Sequence, residues 1–150
     1  MLKTIGPYST SRKALDNMMN YYQAVLSQKW GTDYDAQLQK AGQTNKAVLA
    51  AFVGLTWCYP CQKLEAEVFK TFTFLEWTLG KVVLLQLDYK QPIDQNSAEK
   101  KQLLTKHNVN AFPSILGLDA TGAELGRVVG YSSGSGPANW IASFESATGL

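Results

Sequence analysis

The chain has 150 residues, 45% of them hydrophobic and 17% charged, with a formal net charge of +2 at pH 7. This composition is typical of a globular protein rather than a disordered one, and a chain of this length can bury about 70% of its unfolded surface. Its scattered lysines form no basic stripe that would indicate nucleic-acid binding, and no apolar run approaches the roughly 20 residues of a membrane span.

The first part of the chain predicts two helices. After a glycine-proline break at residues 6–7, apolar residues recur at helical spacing and indicate an amphipathic helix over about residues 12–28, with residues 9–11 as candidate caps. A shorter helix is predicted to start after a cap at Thr32 and to end at Gly42, a C′ glycine.

The middle of the chain predicts a strand, a helix and a second strand. Residues 47–53 are continuously apolar, which is typical of a strand buried on both faces. A helical segment that contains the cysteines follows and reaches about Leu75 or Leu79, and residues 81–88 form a second buried strand. This order predicts a right-handed βαβ unit with parallel strands.

The last part of the chain predicts a loop, a helix and a hairpin. Residues 89–96 have no periodicity and are predicted to form a loop, whereas residues 97–107 have a helical pattern. Residues 111–119 and 123–131 flank a short glycine-containing turn and are predicted to pair as antiparallel strands.

A closing helix completes the predicted order. Pro137 suits the first position of this helix, and Trp140, Ile141 and Phe144 are expected to pack on the sheet. The elements thus predict an α/β fold of order βαβ, α, ββα behind an N-terminal helical extension.

The chain holds only two cysteines, Cys58 and Cys61, both in the stretch W-C-Y-P-C. Tracing the apolar stripe of the helix back from Leu75 in steps of three or four residues reaches Cys61, which therefore belongs to the buried face. Cys58 lies where the helix begins, and there free N–H groups and the helix dipole stabilise a thiolate. We therefore expect an accessible nucleophile at Cys58 and a shielded resolving thiol at Cys61.

The thiolate of Cys58 has little local charge to stabilise it. No charged residue lies between Lys46 and Lys63. We expect its pKa to be moderately lowered, nearer ~7 than the ~3.5 of the strongest oxidants. Such a dithiol acts as a reductant or a near-neutral exchanger rather than a strong oxidant.

Two other roles for the cysteine pair, a structural disulfide and a metal site, fit the sequence less well. A permanent disulfide across so short a loop would constrain little unfolded-chain entropy. A zinc site needs about four ligands, and the chain offers two cysteines and one histidine, His107, so no metal site is predicted. A C-x-x-C at the strand-to-helix junction of a βαβ unit favours a redox dithiol.

These residues resemble the thioredoxin superfamily over about Trp30 to Gly149. The resemblance rests on W-C-Y-P-C, on the order of the elements and on Phe112-Pro113 at the opening of the third strand. It implies a thioredoxin fold, with residues 1–29 as the helical extension and residues 30–150 as the thioredoxin-like domain. The motifs K-L-E-x-E-V-F and H-N-V-N-A-F-P also resemble exported bacterial proteins of the disulfide reductase and isomerase type.

The resemblance implies roles for the residues around the cysteines. Pro113 is expected to follow a cis peptide bond and to flank Cys58, and the backbone of Phe112 is expected to pair with an extended substrate segment. The family's buried acid, which is paired with a lysine, has no counterpart in the strand residues 50–52 or 82–85. Water or a carboxylate from elsewhere must then accept the proton of Cys61.

Three further residues are predicted to shape the site. Trp57 is expected to cover the site beside Cys58, although an aromatic residue there also fits simple packing. Tyr59 occupies a variable position and either tunes substrate fit or is an exposed bystander. Pro60 stiffens the turn and removes one N–H donor near Cys61.

The dithiol and the resemblance together predict a thiol–disulfide oxidoreductase that acts on protein disulfides as a reductase or isomerase. No cofactor is expected besides the redox-active Cys58–Cys61 disulfide. Disulfide-bearing protein substrates and an unidentified redox partner protein are the expected partners of a monomer.

The expected location is the periplasm or another exported compartment, with any signal removed from this chain, and the cytoplasm is the alternative. A non-catalytic binding module beside Pro113 and, more remotely, a metal carrier are the alternative functions.

Overall fold

The computed structural model describes the backbone of residues 5–150 and the side chains of residues 11–150. The elements, in chain order, are α1 (Ile5–Leu26), α2 (Tyr34–Thr44), β1 (Ala47–Val53), α3 (Tyr59–Leu64), α4 (Phe72–Thr78), β2 (Val82–Asp88), α5 (Ala98–Lys106), β3 (Ser114–Leu118), β4 (Glu124–Val129) and α6 (Gly136–Thr148). A π-helical turn, Glu65–Phe69, continues α3, and a 3-10 turn, Ile93–Gln95, precedes α5. Among the described residues, no helix is long and apolar enough to cross a bilayer.

The strands form one mixed sheet of order β2-β1-β3-β4. β1 runs parallel to β2 and antiparallel to β3, and β3 and β4 form an antiparallel pair. The parallel βαβ unit and the hairpin predicted from the sequence are therefore confirmed, and the fold is the thioredoxin fold.

The central strand β1 separates two layers of helices. Its side chains alternate between the two faces of the sheet. Leu49, Ala51 and Val53 share a buried cluster with residues of α3, α4 and α6, and this side of the sheet is called the cysteine face below. Val48, Ala50 and Phe52 pack in a second cluster with residues of α2 and α5. A strand buried on both faces must be apolar throughout, as the sequence of β1 is.

The helix α1 begins earlier than the predicted residue 12. It starts at Ile5 and includes the predicted break at residues 6–7, so the predicted caps at residues 9–11 lie inside the helix. A proline is tolerated in the first turn because its missing N–H would have no intrahelical acceptor there.

The helix α2 is shifted towards the C-terminus at both ends. Asp33, rather than the predicted Thr32, is the N-cap, and its carboxylate accepts a hydrogen bond from the backbone N–H of Ala36 at 2.9 Å. The helix continues through Gly42, and Asn45 adopts the left-handed conformation at its end, with φ of 54°. Asparagine tolerates this conformation better than most residues, so it replaces glycine as the C-terminal signal.

The predicted long helix after the cysteines is interrupted. The π-helical turn closes with a hydrogen bond from the N–H of Lys70 to the carbonyl of Glu65, and Thr71 is the N-cap of α4. The Thr71 hydroxyl accepts from the N–H of Phe74 at 3.2 Å. This side-chain bond replaces an intrahelical one, which ends the first helix and starts the second.

The two strands of the hairpin are shorter than the predicted ranges 111–119 and 123–131. β3 begins at Ser114, directly after Pro113, and β4 ends at Val129. Proline has no N–H to donate to the ladder, which explains the later start of β3.

Candidate dithiol active site

Cys58 is placed by the turn that links β1 to α3. Its backbone N–H donates to the carbonyl of Gly54 at 2.8 Å, which closes the turn after β1. Cys58 is extended, with φ of −97° and ψ of 106°, and is the N-cap of α3. Its Sγ accepts a hydrogen bond from the N–H of Cys61 at 3.3 Å. The sulfur therefore lies at the first turn of the helix, as the sequence predicted.

Cys61 lies one helical turn later and forms a disulfide with Cys58. The backbone N–H of Gly54 donates to the Sγ of Cys61 at 3.4 Å. Each sulfur thus has a backbone amide donor, and such donors stabilise negative charge that develops on sulfur.

Cys58 is less exposed than the sequence predicts for the nucleophile. Cys58 is 5% exposed and Cys61 is 1% exposed, so both are buried, although Cys58 is the more accessible of the two. In this oxidised form both residues belong to the apolar cluster of the cysteine face, and Phe112 packs against that cluster. This packing leaves only a small part of Cys58 open to solvent.

The predicted site-shaping residue Trp57 is tied to its neighbours. Its indole Nε1 donates to the carbonyl of Tyr89 at 2.8 Å, and its ring meets the ring of Phe112 edge-on at 5.4 Å. Tyr59, in contrast, is 62% exposed, with the ammonium of Lys63 5.5 Å above its ring. Trp57 and Phe112 therefore form a continuous aromatic wall, whereas Tyr59 lies in solvent.

Pro60 and Pro113 occupy different backbone settings. Pro60 lies in the first turn of α3. The Phe112–Pro113 peptide bond is cis, and Pro113 is buried. Because β1 and β3 pair Phe52 with Ser114, this bond lies at the same end of the sheet as the turn that carries Cys58.

Two carboxylates that were not predicted as site residues also lie on the cysteine face. Glu65 follows Cys61 by four residues, and its Oε1 accepts from the Nε2 of Gln86 at 3.2 Å. Asp88, at the end of β2, accepts from the N–H of Leu55 at 2.8 Å. Burial raises the pKa of Glu65 above its ordinary value. Two signals in the sequence could have identified this pair. Side chains alternate along β2, which places Asp88 on the cysteine face, and Glu65 follows Cys61 by four residues, which places both on one side of the helix.

Glu67 connects the cysteine helix to the loop after β4. Its carboxylate accepts from the hydroxyl of Tyr131 at 2.7 Å and from the N–H of Gly134 at 2.8 Å. The Gly134 amide, followed by the Tyr131 hydroxyl, holds the pKa of Glu67 below its ordinary value. The loop is therefore held against the helical segment that carries the dithiol.

The single histidine lies away from the dithiol. His107 ends α5, where its Nε2 and the hydroxyl of Tyr34 are 2.7 Å apart, and its ring contacts Phe52 on the opposite face of the sheet. Burial lowers the pKa of His107. Among the side chains that the structure describes, no three histidine, cysteine, aspartate or glutamate residues are grouped so as to hold a metal ion.

Comparisons with known proteins agree with this geometry. A family model described as a thioredoxin-like domain matches residues 34–144. The disulfide bond reductase DsbH of Chlamydia pneumoniae is 25% identical over 130 residues, which cover 85% of this chain and 76% of that protein. The thioredoxin-related protein DsbJ of the same organism is 26% identical over 110 residues, 71% of this chain but only 32% of DsbJ. A solved structure of a DsbH oxidoreductase superposes with a TM-score of 0.69 at 25% identity, covering 82% of this chain and 85% of that one.

Proposed function

The chain belongs to the thioredoxin-like family, and from that premise we propose that it reduces or isomerises disulfides in protein substrates. The observation that carries the proposal is the Cys58–Cys61 disulfide at the first turn of α3. A redox dithiol needs one sulfur where a thiolate is stabilised and a second within bonding distance of it, and this turn supplies both.

The proposed reaction is a two-step thiol–disulfide exchange. In the reduced protein, the Cys58 thiolate attacks one sulfur of a substrate disulfide, so that a mixed disulfide forms and the other substrate sulfur leaves as a thiolate that takes up a proton. Cys61 then loses its proton and attacks the Sγ of Cys58. The second substrate thiolate is released, and the two electrons lost by the dithiol reduce the substrate disulfide.

The charges around the dithiol favour reduction over oxidation. Tertiary contacts bring two carboxylates, Glu65 and Asp88, to the cysteine face, and the local sequence between Lys46 and Lys63 brings no cation. Negative charge nearby disfavours a thiolate, so the reduced form is less stabilised than in strongly oxidising dithiols. A protein with this balance gives electrons to substrates.

Glu65 is the proposed proton acceptor for Cys61, either directly or through water. It lies one turn after Cys61 on the same helix, and burial raises its pKa, which makes the carboxylate a stronger proton acceptor. It takes the place of the buried acid that thioredoxins keep in the preceding strand.

The remaining roles follow from the arrangement of the site. Trp57 and Phe112 form the proposed wall of the substrate groove, Pro60 stiffens the active turn, and the backbone of Phe112, before Pro113, pairs with the substrate. Tyr59 is the proposed contact for bulky substrates because its ring is exposed beside the dithiol.

The proposed setting is an oxidising compartment outside the cytoplasm, where protein disulfides form. The protein acts there as a monomer with the Cys58–Cys61 disulfide as its only redox group, and a separate partner protein returns it to the dithiol form. Residues 1–29 are the proposed extension and residues 30–150 the catalytic domain.

Trapping of the mixed disulfide tests the mechanism. With insulin as substrate, Cys61→Ser should accumulate a covalent complex that dithiothreitol releases, whereas Cys58→Ser should form none. The wild type should reduce insulin in the presence of dithiothreitol. Absence of wild-type turnover, with the fold intact by circular dichroism, would support the partner-binding alternative instead. A reduction potential near that of a strong oxidant would contradict the proposed direction.

A further inference from the structure

A cleft whose lining residues include neither cysteine lies beside the edge strand of the sheet. It has a volume of about 360 Å³ and is bounded by the end of β4, the loop that follows and one side of α6. Serine hydroxyls, including those of Ser132 and Ser143, and the amide of Asn139 line it, and none of its lining residues carries a charge. The cleft is therefore polar but neutral, which suits a ligand that is itself uncharged.

One lining residue has an unused hydrogen-bond donor. Trp140 is 4% exposed, and its ring stacks on Phe144 at 5.1 Å. Its indole Nε1 is buried, and no acceptor among the described residues contacts it. A buried N–H without an acceptor costs free energy, so such groups are rare in folded proteins unless a ligand or water completes them. Trp140 is one of the residues that line the cleft, so the cleft is the route by which an acceptor from outside the described chain would reach this side chain.

The position of the cleft indicates what supplies that acceptor. The N–H of Gly130, another lining residue, donates to the carbonyl of Pro113 at 2.8 Å, so the cleft begins beside the cis proline. Val129, at the end of β4, is 53% exposed, and β4 is the outer strand of the described sheet. An edge strand presents backbone groups that can pair with an extended chain.

We propose that this cleft between β4 and α6 is a subsite for a neutral, extended segment of the protein substrate, one of whose backbone carbonyls accepts the hydrogen bond of Trp140 Nε1. The inference rests on the proposed function, since the segment continues from the disulfide that Cys58 attacks. Ligand clefts commonly measure about 300–1,000 Å³, so this one holds only a few residues. The subsite distinguishes disulfides in extended chains from those of small molecules.

A kinetic comparison tests the subsite. The substrates are two disulfide-bonded peptides, one of about three residues and one of about ten, which spans roughly 33 Å when extended. Ser143→Trp fills the cleft from its exposed rim, and Ser146→Trp places the same side chain elsewhere on α6, outside the cleft. Ser143→Trp should raise the KM for the long peptide relative to the short one by about tenfold or more, whereas Ser146→Trp should match the wild type. Equal KM ratios in both variants would overturn the subsite.

A second measurement follows the indole itself. In ¹⁵N-labelled Cys61→Ser protein, trapped as a mixed disulfide with each peptide, the Trp140 indole N–H resonance should shift with the long peptide and not with the short one. Trp140→Phe identifies the resonance and should raise the KM for the long peptide by about two- to tenfold, the effect of one lost hydrogen bond. An indole resonance that is the same in both complexes would mean that water alone completes the donor, and the proposal would fail. Absence of a mixed disulfide with either peptide would instead contradict the proposed function.

Discussion

At the scale of single residues, Glu65 is the group whose environment is most unusual near the dithiol. Its carboxylate is half buried and has one side-chain donor, Gln86, while the carboxylate of Asp88 lies nearby. Burial is the largest cause of its raised pKa, the hydrogen bond and Lys70 oppose it, and Asp88 adds to it. The ionised form of Glu65 is therefore less favourable in the folded protein than in the unfolded chain.

Glu65→Gln should stabilise the protein at about pH 7. The pKa of the Glu65 carboxyl group is higher in the folded protein than in the unfolded chain, so the protein loses stability as the pH rises from the unfolded-state pKa to the folded-state pKa. Glutamine removes this loss because it has no charge, and its side-chain oxygen still accepts a hydrogen bond from Gln86. The gain should be less than about 1 kcal/mol, because solvent screens a half-exposed carboxylate. Urea unfolding at about pH 7 and about pH 4 measures it.

The pH dependence separates this effect from a change in packing. The difference between Glu65→Gln and the wild type should become small at about pH 4, where the carboxyl group of Glu65 is mostly protonated in both the folded and the unfolded protein. Asp16→Asn, at an exposed position in the middle of α1, is the control that replaces a carboxylate by an amide, and it should change stability little at either pH. A gain that persists undiminished in acid would show that burial of the charge is not its cause.

The sequence predicts the position of the two cysteines better than it predicts the residues that surround them. Cys58 and Cys61 could be placed because a strand, a turn and a helix follow one another locally. The carboxylates were missed because Glu65 belongs to one helix and Asp88 to a strand, and only the packing of the two elements brings them together. The burial of Cys58 depends on the same tertiary contacts.

At the scale of elements, the strands were easier to predict than the helix ends. β1 occupies the predicted residues 47–53, because a strand buried on both faces leaves an uninterrupted apolar run. Helix ends depend on single hydrogen bonds, such as the one that Thr71 accepts from Phe74, and several nearby residues in the sequence could have supplied such caps.

Gly42→Ala should stabilise the protein by about 0.5–1 kcal/mol. The structure places Gly42 inside α2, where alanine is the better helix former, and an added Cβ would meet only the Cβ of Ala120 at 3.6 Å, an ordinary contact. Had Gly42 been the predicted left-handed C′ residue, the same change would be destabilising. Thermal unfolding measures the sign, with an expected rise in Tm of roughly 2–4 °C for each 1 kcal/mol.

Gly149→Ala is the matched change at a true helix end. Gly149 follows α6 with φ of 76°, and space is open around it, so only the backbone conformation is affected. The left-handed conformation should make this variant less stable by about 1 kcal/mol. If Gly42→Ala were the less stable of the two variants, α2 would end at Gly42, as predicted from the sequence.

At the scale of the whole molecule, the side chains of the N-terminal helix that the structure describes in contact with the domain lie towards the end of α1. Val25 is fully buried, the ring of Tyr22 lies 4.9 Å from that of Phe72, and Tyr21 donates to Glu76 at 2.7 Å. Beyond α1, Gly31 donates to the carbonyl of Leu84 and so adds a single parallel bridge to the edge of β2. The sequence predicted α1 from its apolar stripe, but which part of the stripe is buried depends on the position of α4.

Val25→Asp and Met18→Asp distinguish the two halves of α1. Val25→Asp places a charge at a fully buried site and should destabilise the protein by about 3 kcal/mol or more. Met18 is 53% exposed, so Met18→Asp should stay within about 0.5 kcal/mol of the wild type. Urea unfolding at two protein concentrations is the measurement. A loss in Met18→Asp that depends on concentration would mean that a second copy covers the apolar stripe of α1, and the protein would not be the proposed monomer.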